Sequence, residues 1–240
     1  MIQEIIRIDL NGVNCYLLKQ NNNFVLFDTG GHMNMDKTFD NRRNALISEL
    51  DKAGCTPDNL KLIILTHGDN DHTANADFLR NKYHAKIAMH KADLELVENP
   101  TLEKVIANFR FKSLLYNIVS LFIKKLIYKI TEKNLHDFDS FRPDIFLEDG
   151  FQLSEFGFDA KILHIPGHTL GSIAILTAND NLISGDTFSN MKKPGAAPNA
   201  IDFKQLSNSV KKLVSMNIQM VYPGHGAPFT MTHYLKGGKQ

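Results

Sequence analysis

Hydrophobic and polar residues alternate at the start of the chain with the two-residue period of a half-buried β-strand. Ile6, Ile8 and Leu10 alternate with polar residues, and the alternation resumes at 13–17 after Asn11-Gly12. An Asn-Gly pair between two such segments predicts a β-hairpin. A third apolar run, Phe24-Val25-Leu26-Phe27, predicts a strand that ends at a glycine-containing turn.

Further along the chain, apolar segments of strand length alternate with helical patterns. Strands are predicted at 61–65, 86–89, 158–165, 172–177, 181–184 and 219–222, and helices at 41–53, through Ala76, Phe78 and Leu79, and at 203–215. Strands that alternate with helices are typical of an α/β protein. Because 240 residues can bury one large core, we expect a single domain that spans 1–240.

Residues 91–145 interrupt this alternation and predict a helical insertion within the domain. From 103 to 133 the apolar residues fall on one helical face, and lysines make the segment basic and amphipathic. Its longest uncharged stretch, Ser113 to Ile123, is shorter than the roughly 20 apolar residues of a membrane-spanning helix. We expect the 103–133 helix to cap an active site, with peripheral membrane or partner contact as the alternative.

Two histidines and two aspartates fall within six consecutive residues, His67-Gly68-Asp69-Asn70-Asp71-His72. Crowded carboxylates and imidazoles repel and desolvate one another unless cations compensate them, so the cluster indicates metal binding. His168, Asp186 and His225 each follow a predicted strand in a glycine-containing turn. Open α/β sheets gather their ligand-binding loops at such strand ends, and we expect these residues to converge.

Five motifs follow one another along the chain: Phe27-Asp28-Thr29-Gly30, His67-x-Asp69-x-Asp71-His72, Pro166-Gly167-His168-Thr169, Gly185-Asp186-Thr187 and Pro223-Gly224-His225-Gly226. In this order they resemble the motifs of the metallo-β-lactamase superfamily, particularly of its glyoxalase II and acyl-homoserine lactonase branches. The resemblance covers nearly the whole chain. It implies an αββα sandwich with a two-metal site at one edge, to which this chain adds the helical insertion.

The resemblance also implies the ligands of two divalent metal ions. One ion would be held by His67, Asp69 and His168, the other by Asp71, His72 and His225, and Asp186 would bridge them. Position 69 is aspartate where the usual motif has histidine. We expect zinc first. Because carboxylate is a harder ligand than imidazole, the first site should tolerate iron or manganese better than an all-histidine site would, so these metals are the alternatives. Three carboxylates and a bridging hydroxide would balance the charge of two divalent ions, so we expect both ions to bind.

The sequence therefore predicts a dinuclear metal-dependent hydrolase of a small ester, lactone or thioester. Metal coordination lowers the pKa of water from about 15.7 to about 7, which makes a bridging hydroxide the predicted nucleophile, with Asp71 and Asp186 as catalytic carboxylates. Neither a Gly-x-Ser-x-Gly elbow nor a His-Glu-x-x-His motif occurs. The alternatives are a non-haem di-iron oxidoreductase with a separate electron donor, a phosphodiesterase, and a non-catalytic module whose metal site is spoiled by Asp69.

Residues beside the motifs are candidates for substrate contacts. His32 follows the turn 28–31 and could face the site, Lys193 could recognise a carboxylate or phosphate, and Phe188 could line an apolar wall. Asp28 is a candidate acceptor that orients a ligand histidine, with a turn-forming role as the alternative.

Composition and charge limit the range of partners. Hydrophobic residues make up 43% and charged residues 22%, and the formal net charge is +1. This balance gives no electrostatic reason to expect nucleic acid, so we expect a small-molecule substrate. Cys15 and Cys55 form no paired-cysteine motif, and the segment that starts Met1-Ile2-Gln3-Glu4 lacks the basic region and apolar run typical of a secretory signal. We expect a cytoplasmic protein with buried thiols, and a homodimer remains an open alternative.

Overall fold

The computed structural model describes residues 3–33, 39–107, 110–122 and 124–237, and their strands form two sheets. The first sheet contains β1 (Gln3–Asp9), β2 (Asn14–Gln20), β3 (Asn23–Phe27), β4 (Leu60–Ile64), β5 (Lys86–Met89) and β6 (Ile145–Phe146), side by side in that order. Pairing is antiparallel from β1 to β3 and parallel from β3 to β6. The hairpin predicted around Asn11-Gly12 is confirmed, and both residues adopt positive φ, 57° and 122°.

The second sheet contains β7 (Ala160–His164), β8 (Ile173–Thr177), β9 (Asn181–Asn190), β10 (Gly195–Ala196), β11 (Met220–Gly226) and β12 (Phe229–Thr230). Its order is β12-β11-β9-β8-β7, and β10 pairs with β9. The helices are α1 (Arg43–Ala53), α2 (Asn70–Thr73), α3 (Ala76–Tyr83), α4 (Leu94–Val97), α5 (Leu102–Ala107), α6 (Leu114–Phe122), α7 (Lys124–His136), α8 (Phe203–Val214) and α9 (Met231–Gly237). Within the described ranges, none of these helices is long and apolar enough to cross a membrane.

Three apolar clusters separate four layers. Neighbouring residues of β3 point to opposite faces of the sheet, so Leu26 packs with Leu50 of α1 while Val25 packs with Ile175 of the second sheet. A third cluster joins the outer face of the second sheet to Leu213 of α8. The order helix, sheet, sheet, helix confirms the predicted αββα sandwich. Both cysteines are buried, as expected.

Two strands extend further than the sequence pattern predicts. β9 contains Asp186 and β11 contains His225, so the prediction that both residues lie past a strand end was wrong. The parallel pairing of β9 with β11 continues through register shifts, from Pro223↔Gly185 to His225↔Ser189. Such bulges change the direction of side chains within a strand and allow ligands to lie inside it.

The insertion is divided into several helices. The single helix predicted at 103–133 is replaced by α5, α6 and α7 among the described residues, while residues 108, 109 and 123 lie outside them. Phe111 forms a β-bridge with Asn199, and the Lys112 N–H donates to the Pro198 carbonyl oxygen at 3.1 Å. These contacts withdraw the backbone between α5 and α6 from helical hydrogen bonding.

Candidate metal centre

The seven candidate ligands converge at one edge of the sandwich. Strand β4 leads into His67, and Asp69 immediately precedes the single turn of α2, which carries Asp71 and His72. From the second sheet, His168 follows β7, while Asp186 and His225 come from the paired strands β9 and β11. The site therefore lies where ends and bulges of strands from both sheets meet.

The ligand atoms form two sets of three. His67, Asp69 and His168 make one set and Asp71, His72 and His225 the other, and the ligand atoms of each set lie within 4.8 Å of one another. Asp69 Oδ2 is 3.2 Å from His168 Nε2 and 3.7 Å from His67 Nε2. Ligands on a tetrahedral zinc ion, with bonds of about 2.0–2.2 Å, are separated by about 3.3 Å. The spacing in each set suits one such ion.

Asp186 lies between the two sets. Its Oδ2 is 3.0 Å from His225 Nε2 and 3.7 Å from His168 Nε2, and its Oδ1 is 3.4 Å from His72 Nε2. One carboxylate thus contacts histidines of both sets, as a bridging ligand must.

Two of the ligand histidines are held by backbone carbonyls through Nδ1. His225 Nδ1 lies 2.6 Å from the Gly12 carbonyl oxygen, and His168 Nδ1 lies 3.2 Å from the Asn199 carbonyl oxygen. Because a carbonyl oxygen can only accept, Nδ1 carries a proton and the lone pair available to a metal is at Nε2. Both Nε2 atoms face the carboxylates.

Asp28 orients the other two histidines. Its Oδ2 lies 2.8 Å from His72 Nδ1 and accepts a hydrogen bond from the Thr66 hydroxyl, also at 2.8 Å. Since the hydroxyl proton goes to Asp28, Thr66 Oγ1 accepts from His67 Nδ1 at 3.0 Å. The Thr66 N–H donates to Asp28 Oδ1 at 2.7 Å, which fixes the carboxylate. All four imidazoles therefore direct Nε2 at the centre.

Unpaired buried atoms show that the donor set fits cations. His67 Nε2 and Asp186 Oδ1 are buried without a hydrogen-bond partner among the described residues. His72 Nε2 and His225 Nε2 lie only 3.5 Å apart. Two imidazole lone pairs this close are repulsive unless a proton or a metal ion lies between them. Histidine and carboxylate ligands of this kind suit zinc, iron or manganese.

The electrostatics of the centre also favour the binding of cations. Burial opposes charge on His72, but the carboxylates of Asp186 and Asp28 outweigh it and raise its pKa to about 10. The pKa values of His168 and His225 rise to about 9 for the same reason, with Asp69 and Asp186 as the main partners. The carboxylates thus favour protonated histidines, whose protons take the positions that a metal cation would take.

Sequence comparison identifies the family of this chain. The model of the metallo-beta-lactamase superfamily matches residues 8–225. The chain belongs to the metallo-beta-lactamase superfamily. The resemblance inferred from its five motifs is therefore confirmed.

Relatives within the superfamily differ in how much of the chain they match. A probable metallo-hydrolase from Methanocaldococcus jannaschii is 31% identical over 189 residues, which cover 76% of this chain and 77% of that protein. A hydroxyacylglutathione hydrolase from Francisella tularensis is 27% identical over 111 residues, or 45% of this chain. The match spans only 42% of the length of that relative.

Solved superfamily structures share the fold. The BLEG-1 B3 metallo-beta-lactamase has a TM-score of 0.68 at 22% identity, covering 98% of this chain and 97% of that one. TTHA1623, solved in a di-iron-bound form, has a TM-score of 0.63 at 23% identity, covering 97% of each chain. At these identities the likeness establishes the αββα fold alone.

In this superfamily member, sequence reasoning missed the buried Asp93, which lies between α4 and β5. Its Oδ2 accepts from the Gly68 N–H at 2.9 Å and from the Thr169 hydroxyl at 2.6 Å, and its Oδ1 accepts from the Gly171 N–H at 2.7 Å. Asp93 thereby joins the loop of Asp69 to the loop of His168. A single aspartate after a strand carries no sequence signal for this role.

The sequence also did not predict that Asn14 and Tyr16 support the centre. Asn14 Nδ2 donates to the carbonyl oxygens of Pro223 (2.8 Å) and Gly226 (2.7 Å), and the Tyr16 hydroxyl donates to Pro223 at 2.7 Å. These bonds tie the hairpin of the first sheet to the turn that carries His225. An asparagine directly before the apolar run 15–18 is the one sequence signal that could have indicated this link.

A cleft of about 240 Å³ opens over the centre. It is lined by Met33, Asp69, Asp71, His168, Asp186, Ser189, Met191, Ala197, Pro198, Asn199 and His225. Carboxylates and histidines form its floor, and methionine, alanine and proline side chains form apolar walls. The volume suits a small substrate group.

The structure places two of the predicted substrate contacts away from the cleft. Phe188 is fully buried and packs edge-on against Phe229 and Tyr234, because the bulge between β9 and β11 places Ser189 at the cleft instead. Lys193 lies in the turn between β9 and β10 and borders a separate cavity next to α8 and α9.

His32 does lie beside the centre. It is buried, its Nε2 is 2.6 Å from Asp137 Oδ2, and its ring stacks on Phe39. It borders a small cavity of about 30 Å³ between the ligand loop and helices α5 and α7. The other lining residues are Asp69, Asn70, Asp71, Val105, Thr131, Asn134 and Leu135.

Proposed function

We propose that the protein is a dinuclear metal-dependent hydrolase of a small ester, lactone or thioester. The observation that carries the proposal is the common direction of four imidazoles, whose Nε2 atoms face three carboxylates while their Nδ1 atoms are held from outside. His67, Asp69 and His168 would hold one ion, Asp71, His72 and His225 the other, and Asp186 would contact both. When bound, the two ions supply a water of lowered pKa and polarise the carbonyl that is attacked.

The chain itself would position the substrate and limit the access of water. Apolar walls at Met33, Met191 and Pro198 would hold the acyl part over the carboxylate floor. Asp28 and Asp93 would keep the ligand side chains in place before substrate arrives, which lowers the cost of assembling the site. Asp71 and Asp186, which line the floor of the cleft together with Asp69, would be the catalytic carboxylates.

The small cavity beside Asp69 and Asp71 favours an acyl group that carries a hydroxyl. His32 Nδ1, Asn70 Oδ1 and Asn134 Oδ1 are buried there without a partner among the described residues. With one proton on the His32 ring, at Nε2 facing Asp137, all three atoms are acceptors. A substrate hydroxyl would donate its one hydrogen to one of these acceptors, and a buried acceptor that lacks a donor is costly. The Francisella tularensis relative, named a hydroxyacylglutathione hydrolase, makes a hydroxyacyl thioester the first substrate to test.

Substrate screening of the metal-loaded protein tests this proposal. We expect hydrolysis of acyl thioesters or esters, with faster turnover of 2-hydroxyacyl than of unsubstituted acyl thioesters. Asp186→Asn should lower kcat/KM by at least about 100-fold. Lys193→Ala, outside the cleft, is the control and should leave activity unchanged.

The same screen separates the alternatives. Lactones and phosphodiesters are assayed beside thioesters, and oxygen reduction is assayed with a reduced flavoprotein. Turnover confined to phosphodiesters would support a phosphodiesterase, and oxygen reduction would support the di-iron oxidoreductase. Fully metal-loaded protein that turns over none of them would contradict the hydrolase.

A further inference from the structure

Helix α6 and the start of α7 expose a group of large apolar side chains. Leu115, Leu121 and Phe122 are 66%, 69% and 85% exposed, and Ile118, Val119 and Leu126 are each 44% exposed. We call these six residues the α6 surface. Leu115, Ile118, Val119 and Phe122 recur every three or four residues and therefore share one face of α6. A contiguous exposed apolar face of this kind marks an interaction site in a protein that is otherwise well packed.

Basic residues accompany the α6 surface without acidic ones. Between 110 and 131 the chain contains five basic residues and no aspartate or glutamate. Arg110, Lys112, Lys124, Lys125 and Lys129 are all exposed. The formal charge of this segment is +5, whereas that of the whole chain is +1. Positive charge is thus concentrated where the apolar side chains are exposed.

We propose that the α6 surface binds anionic lipid membranes, with α6 lying in the plane of the headgroups. Its apolar side chains would enter the boundary between headgroups and acyl chains, and the long lysine side chains would reach lipid phosphates. An interface between two copies of this chain would place one +5 segment against another if it formed around a two-fold axis, which is unfavourable. An anionic bilayer satisfies the apolar and the basic residues together.

The α6 surface is connected to the wall of the cleft. The backbone before α6 pairs with residues 198–200, through the bridge of Phe111 to Asn199 and the bond from the Ala200 N–H to the Arg110 carbonyl oxygen at 3.0 Å. Asn199 also lines the cleft and accepts the hydrogen bond of His168. Membrane binding would hold the cleft next to the lipid, where acyl substrates partition; this last step rests on the proposed function.

Vesicle sedimentation tests the proposal with the full, metal-loaded chain. We expect binding to vesicles that contain phosphatidylserine, little binding to phosphatidylcholine alone, and release by high salt. The double variant Phe122→Ser with Lys124→Glu should bind at least about tenfold more weakly. The matched control, Leu235→Ser with Lys236→Glu on α9, exchanges an exposed leucine and lysine elsewhere and should bind as the wild type does.

Two further measurements keep the outcomes distinct. Thermal melting shows whether both double variants fold, and hydrolysis of a water-soluble substrate should be equal in all three proteins, because α6 does not line the cleft. An inactive wild type that still binds vesicles would therefore refute the hydrolase without touching the membrane proposal. The membrane proposal is wrong if the wild type does not bind phosphatidylserine vesicles, or if the control loses binding as strongly as the α6 variant. A dimer in solution that the α6 variant abolishes, without vesicle binding, would make this surface a contact between two copies instead.

Discussion

At the scale of the residue, Asp28 shows how an acceptor outside the ligand set decides the chemistry of the centre. Its two oxygens receive three donors, the N–H and hydroxyl of Thr66 and Nδ1 of His72. Because Nδ1 of His72 donates to Asp28 and Nδ1 of His67 donates to Thr66, this arrangement leaves Nε2 of both histidines available. The affinity of the centre for metal ions therefore depends on Asp28, a residue that would not itself contact a metal ion.

The Asp28→Asn variant tests this dependence. Asparagine has the same shape but one acceptor oxygen instead of two, so one donor loses its partner or His72 changes tautomer. We expect the affinity for the metal ions to fall by about 10-fold to 100-fold while the fold is retained. Competition with a coloured chelator measures it, and Asp58→Asn on the exposed turn before β4 is the control. Equal affinities of the two variants would contradict the role given to Asp28.

Asp93 predicts a pH dependence of stability. Burial raises its pKa to about 6, although the hydrogen bonds from Thr169, Gly171 and Gly68 oppose the rise. An acid with a raised pKa contributes stability that is fully present below its unfolded pKa of about 3.9 and is lost as the pH rises through about 6. In metal-free protein, Asp93→Asn should therefore cost more unfolding free energy near pH 5 than near pH 7.5.

Urea unfolding of both proteins at the two pH values provides the measurement. At either pH the variant should be less stable by about 1–3 kcal/mol, because one of the three donors loses its acceptor. A cost that is independent of pH, or one that grows toward pH 7.5, would show that Asp93 is ionised throughout.

At the scale of the element, strands β9 and β11 bring ligands into the centre by bending rather than by ending. The register shifts around Pro223 turn Asp186 and His225 toward the ligand loop of the first sheet. Gly224 lies where the two strands and α2 are closest. A Cβ at this position would overlap Asp186 Oδ1 and lie 2.7 Å from His72 Cε1.

The Gly224→Ala variant should therefore disturb the centre without removing a ligand. We expect it to lose at least one of the two ions and most of the hydrolase activity, since Asp186 and His72 cannot both keep their positions. The matched change Gly195→Ala meets only a backbone oxygen at 3.9 Å and should be silent. Measurement of the metal content and kcat/KM of both variants tests this prediction. Normal values in Gly224→Ala would mean that the strands separate more easily than the packing indicates.

At the scale of the whole molecule, metal binding and protonation compete for the same buried atoms. In the ion-free protein the pKa values of His72, His168 and His225 are about 10, 9 and 9, so these residues are protonated at neutral pH. Metal ligands must be unprotonated. Loading both ions near pH 7.5 should release about three protons per chain from these histidines, in addition to the proton that a metal-bound water loses, and the histidine contribution should fall as the pH rises through about 9 to 10.

Calorimetric titration in buffers of different ionisation enthalpy measures this release. The raised histidine pKa values also stabilise the ion-free protein below about pH 6.5, and this contribution is lost as the pH rises through 9 to 10. If no protons were released near pH 7.5, the carboxylates would not raise the pKa values of these histidines enough to keep them protonated at that pH.

From the sequence, the seven candidate ligands and Asp28 could be predicted, but not Asp93, Asn14 or Tyr16. The five motifs are local, so their resemblance to a known superfamily implied the fold and the candidate ligands. The partners of Asp93 lie 25 to 78 residues away, and Asn14 reaches 209 and 212 residues along the chain. Such contacts exist only after both sheets have packed. The insertion shows the same limit, because helical periodicity over 103–133 carries no information on the bridge from Phe111 to Asn199.

Metal stoichiometry tests the central claim most directly. Elemental analysis of protein purified without added metal should find about two divalent ions per chain. His168→Ala and His225→Ala, which each remove a ligand of one set, should each retain about one ion. His90→Ala, whose ring stacks on His164 instead of facing the centre, should retain both. Wild-type protein with less than one ion per chain, or unchanged metal content in both ligand variants, would contradict the account.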